Sequence, residues 1–158
     1  MLWDQLHDYW LSKHDRGRAP ARADLDPIRD IPTLTPNLML IDVLPDGYRV
    51  RLQGSEIVRR TGIDLTGRVI DERLFDAPRL VKWFDAFTVV VEEQRPLLIR
   101  SWADHRGQAE TIVLVLPLVG TAGQTEILLV GCFYEGDFDN LPDTGMLALV
   151  DVPIARRV

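Results

Sequence analysis

The 158 residues are 46% apolar and 27% charged, a globular balance at the size of one domain, which excludes wholesale disorder and a disulfide-built miniature. Eighteen basic residues against twenty-four acidic ones leave a net charge of −6, a field that repels phosphate backbones and anionic lipid, so neither nucleic acid nor a membrane is an expected partner. The longest apolar run, Ile112 to Gly120, falls far short of the roughly 20 residues of a bilayer-spanning helix, the first residues lack a secretory pattern, and the single Cys132 cannot form an internal disulfide, so the expected location is the cytoplasm.

Leu2, Trp3, Leu6, Tyr9 and Trp10 recur every three to four residues, which predicts an amphipathic helix over residues 2 to 14. Gly17 to Pro27 reads as an extended connector pinned by Pro20 and Pro27, and Asp30 to Pro36 as a short helical turn with Pro32 at its first position. Leu38 to Val43 predicts a strand, and Pro45-Asp46-Gly47 a hairpin turn. In the next strand Tyr48, Val50 and Leu52 alternate with Arg49, Arg51 and Gln53, which predicts one buried and one wet face. Ser55 is a suitable cap for a short helix ending at Gly62, and Thr66-Gly67 opens another helical segment.

Pro78 starts the longest predicted helix, residues 78 to 93, with Leu80, Phe84, Phe87 and Val91 along one stripe. Three strands follow, Leu97 to Asp104, Glu110 to Val119 and Glu126 to Tyr134, joined by turns at His105 to Gln108 and Gly120 to Gly123. Met146 to Val152 in the tail reads as helix or strand. The organisation is therefore an amino-terminal helix and proline-containing connector (residues 1–30), a main α+β domain (31–135) and a tail (136–158). Five antiparallel strands carry helices on one face, and the helix bearing Trp3, Leu6 and Trp10 covers the other face, either of its own subunit or of a dimer partner.

This order of elements resembles the PAS fold, and particular residues narrow the likeness to short stand-alone bacterial PAS-domain proteins formerly described as a domain of unknown function. The match is carried by Gly17 to Pro27 with Ile31-Pro32 to Asp42, by Tyr48 to Val58 with Gly62 to Arg68, and by Leu114 to Leu118 with its following strand. Within the middle stretch, Gly54, Asp64, Thr66 and Gly67 have the family's spacing and suit structural work: a sharp bend, a turn acceptor and a cap. The resemblance implies a sensory or regulatory module that holds a small molecule or a partner protein between sheet and helices; with no kinase, cyclase or DNA-binding segment and no catalytic constellation in the sequence, it is expected to act in trans and not as an enzyme.

Haem and flavin are disfavoured as cofactors: the long helix has no histidine, and Cys132 lies in an apolar strand instead of a reactive motif on a short helix. His7 and His14 share a helix face as surface residues without a third metal ligand, and Asp104-His105 has no nucleophile beside it. Arg16, Arg18 and Arg22, the pair Arg59-Arg60 and the pair Arg156-Arg157 read as a solvated surface among acids. The candidate pocket is therefore apolar, with Phe84, Phe87 and Val91 facing Val50, Leu52, Val113 and Leu129, and with Thr88, Trp102 and Thr111 as polar edges. A close-packed core draws on the same residues. The rival expectation is a structural or scaffolding homodimer whose contact is Trp3, Leu6 and Trp10.

Overall fold

The computed structural model describes residues 1–75, 77–102, 109–136 and 148–152. The amphipathic start folds as α1 (Leu2–Ser12), followed by a connector containing the short helix α2 (Pro27–Asp30). A hairpin follows, β1 (Leu38–Leu44) and β2 (Gly47–Gln53), then α3 (Ser55–Thr61) and the long α4 (Ala77–Glu93). The chain continues through β3 (Leu97–Trp102), β4 (Ala109–Val119), β5 (Thr125–Gly136) and β6 (Ala148–Val152). The sheet is antiparallel throughout, in the order β2-β1-β5-β4-β3-β6. It contains the five expected strands and a sixth from the tail, which resolves the tail's ambiguity in favour of a strand on the β3 edge.

The central strand β4 is buried at every residue, as a strand covered on both faces must be. On one face Ile112, Leu114, Leu116 and Leu118 pack with Leu6, Tyr9 and Trp10 of α1. On the other, Val113 and Val115 pack with Phe87 and Val90 of α4. The amino-terminal helix therefore covers the sheet of its own subunit. Leu6 and Trp10 are 0% and 2% exposed in that core and Trp3 packs against it, so Leu6 and Trp10 are internal and do not form the surface contact expected of a dimer.

The connector closes the same layer. Leu25 and Leu34 are buried in it, and Tyr9 holds it in place, donating from its hydroxyl to Asp30 at 3.1 Å and accepting from the Asp26 amide at 2.9 Å. The amide of Val119 donates to the Pro20 carbonyl at 3.0 Å, so the connector satisfies a β4 donor beyond the last residue that pairs with β3.

Three local expectations change. The proline-led helical turn begins at Pro27, capped by Asp26, and not at Pro32, while Pro36 lies inside a 3-10 turn over Thr35–Asn37. Gly54, not Ser55, precedes α3 as its cap residue. Thr66 and Gly67 form a turn and not a helix, because the Asp64 carboxylate accepts from both the amide and the hydroxyl of Thr66. Beyond that turn the chain runs along β2, with hydrogen bonds between Val50 and Arg68, Gly67 and Val50, and Ile70 and Tyr48.

Candidate functional site

Side chains alternate along a strand, so each strand gives every second residue to the face beneath α3 and α4. That face carries Met39 and Ile41 from β1, Val50 from β2, Thr111 and Val113 from β4, and Val130, Cys132 and Tyr134 from β5. Ile57, Arg60 and Thr61 of α3, Leu65, Ile70 and Phe75 of the following segment, and Trp83 and Phe87 of α4 form the other walls of a partly open cavity of about 290 Å³. Its lining is overwhelmingly apolar, as small-molecule sites generally are.

Most polar groups in the lining are already engaged. The Gln53 amide donates to the Ile63 carbonyl at 3.1 Å and accepts from the Leu65 amide at 2.7 Å, which fixes the loop over the cavity. The Thr61 hydroxyl donates to the Ile57 carbonyl at 2.8 Å. Arg60 donates to Glu56 at 3.0 Å and lies over the Tyr134 ring. Arg59 and Arg60 together hold the Glu56 carboxyl at about 2. Burial pushes the Cys132 thiol up to about 12 and raises Tyr134 as well, so both stay protonated near neutrality. Thr111, 7% exposed, makes no side-chain hydrogen bond among the described residues.

Of the residues predicted to surround a pocket, Val50, Phe87, Thr111 and Val113 line this cavity. Phe84 and Thr88 stand beside it on Tyr48: the Phe84 and Tyr48 rings meet at 5.2 Å, and the Thr88 and Tyr48 hydroxyls at 3.1 Å. Val91 packs against the same core without lining the space. Trp102 is in β3, and its side chain lies outside the described residues, as do Asp104, His105 and the residues expected to form a turn with them.

Leu52 and Leu129 are on the opposite face, which corrects their expected placement. A bulge moves the pairing of β1 from Leu52 to Val50 between Leu40 and Ile41, leaving Arg51 unopposed. Leu52 is thereby turned to the wet side at 50% exposure, while Gln53 is turned in. Leu129 pairs with Leu40 and Leu116, whose side chains pack on the α1 layer. Both leucines border a groove of about 480 Å³ between connector and sheet.

The sequence reading missed Cys132 and Tyr134 as lining residues, although their two-residue spacing from Val130 is the signal that would have placed them. Ile57, Leu65, Ile70 and Phe75 come from short segments with no period to read. Among the described residues no three His, Cys, Asp or Glu side chains gather in a group able to hold a metal. His7 is buried and His14 half-buried against Trp10, so they are not the surface pair expected. No helix among the described residues is long and apolar enough to cross a membrane.

A family model described as PAS domain matches residues 3–134. No curated protein and no solved structure matches the chain.

Proposed function

The chain belongs to the PAS domain family, and from that premise we propose that it is a non-enzymatic sensory or regulatory module whose helix-covered cavity binds a small molecule. The observation that carries this reading is the cavity of about 290 Å³ between the sheet and α3, α4 and the segment joining them. A close-packed interior leaves few voids larger than a water, and a partly open apolar pocket of this size suits a small molecule. Occupancy reaches the surface through α4, because Trp83 and Phe87 touch the space while Val81 and Val89 on the same helix are 57% and 42% exposed. A ligand that favours one setting of α4 shifts that surface in proportion to its differential affinity for the two settings. A signalling protein contacting the helix in trans then reads the occupancy.

The test is a native mass spectrum of the purified protein beside its denatured spectrum. A retained small molecule, present in the first and lost in the second, is the expected result. A bare native mass, together with no specific partner in a pull-down at native abundance, overturns the reading. The same spectrum counts subunits and so decides on the scaffolding homodimer.

A further inference from the structure

We propose that the ligand is an uncharged, mainly apolar molecule of roughly a dozen heavy atoms, oriented by a hydrogen bond to the Thr111 hydroxyl; this rests on the cavity being the ligand site. The size follows from comparison with a benzene-binding cavity of about 150 Å³, roughly half the volume of this one. Charge is excluded by what surrounds the space. Among the described residues the lining holds no carboxylate to meet an amine, and the cation among them, Arg60, is tied to Glu56. An ionised ligand entering this apolar space would lose its hydration without gaining a dedicated counter-charge.

Thr111 is singled out by elimination among the polar groups. Gln53 and Thr61 spend their hydrogen bonds on the α3 loop, Cys132 offers only a weak donor, Tyr134 is engaged beneath Arg60, and the Trp83 indole, packed on Phe87, can donate but not accept, which leaves Thr111 as the hydroxyl able to do both. Thr111 sits on its face of β4 between Ala109 and Val113, 7% exposed, with its hydroxyl unbonded among the described residues. Buried hydroxyls in folded proteins are nearly always bonded, so one left open on a cavity wall suits a partner that arrives in the cavity. Its register partner is Tyr134, which lies beneath Arg60, so the polar end of the ligand is directed to the β4–β5 side of the space.

The experiment titrates naphthalene, 2-naphthol and 2-naphthoate into the full chain at neutral pH, following the methyl resonances of Ile41, Val113 and Val130. Naphthalene and 2-naphthol are expected to bind, with 2-naphthoate at least about tenfold weaker. In Thr111→Val, 2-naphthol should weaken by about three- to tenfold, while naphthalene stays within about twofold. Thr111→Ser, which keeps the hydroxyl, should retain the preference for 2-naphthol, and methyl resonances away from the cavity report that each variant is folded. Equal affinity for naphthoate and naphthol overturns the uncharged class. Unchanged naphthol affinity in folded Thr111→Val overturns the anchor and leaves the cavity reading standing. If none of the three probes moves the cavity methyls, the cavity reading fails and this inference with it.

Discussion

The indole Nε1 of Trp10 donates a 2.9 Å hydrogen bond to the carbonyl of Pro117, 107 residues further along the chain. Pro117 lies two residues past Val115, the last residue of β4 that pairs with Leu97 at the start of β3. A proline is tolerated in a long central strand only where no ladder partner needs its missing N–H, and at this point a side chain from α1 takes its carbonyl. Trp10→Phe removes the donor and part of the buried ring. It should cost about 2–3 kcal/mol in a denaturant titration, with no change in subunit count if α1 serves its own sheet alone.

Gly54 marks the bend from β2 into α3, where a Cβ would overlap the carbonyl oxygen of Pro36. Backbone cannot move aside as the end of a flexible side chain does, so Gly54→Ala should destabilise by about 2 kcal/mol or more. Gly47, the first residue of β2, has open space where a Cβ would go. Gly47→Ala is the control, and its midpoint should lie close to wild type.

Acid tests the Glu56 cluster. The Arg59 and Arg60 guanidiniums lower the Glu56 carboxyl from its ordinary 4.5 to about 2. A depressed carboxyl contributes stability above its unfolded value and loses it as pH falls through its folded one. The stability difference between wild type and Glu56→Gln should therefore be constant above about pH 5 and shrink steadily toward pH 2. With Arg59 59% exposed, screening keeps the difference below about 1 kcal/mol.

Cys132 gives the opposite slope. Burial raises its thiol from 9.0 to about 12, so its contribution is complete below 9 and is lost as pH rises toward 12. At pH 8 an alkylating reagent should leave Cys132 untouched in the folded protein and modify it fully after denaturation. Rapid labelling of the native protein would contradict its burial against α3 and α4.

The strands, the long helix and the two-faced sheet were legible because each rests on a repeating pattern: the period of α1, the unbroken apolar run of β4, the glycine turn before β5. The cavity was legible only in part. Val50, Phe87, Thr111 and Val113 came from correct periods, whereas Ile57, Leu65, Ile70 and Phe75 are brought over the sheet by short segments whose course depends on Gln53 and Gly54. A pattern of period two also carries no sign of a skipped residue, so an inserted Arg51 reversed the assignment downstream of it.

That reversal yields the sharpest comparison between two neighbouring apolar positions of one strand. Simple alternation would bury Val50 and Leu52 equally, yet Val50 is 0% and Leu52 50% exposed. Val50→Ala removes two methyl groups from the cavity floor and should cost about 1–3 kcal/mol. Leu52→Ala shortens a side chain on the wet face, beside Arg49 and Arg51 where they meet Asp42, and should cost about 0.5 kcal/mol or less. Parallel denaturant titrations of the two variants decide the matter. Equal losses would mean that β2 pairs with β1 without the bulge, which would bring Leu52 into the cavity and turn Gln53 away from the loop it now holds.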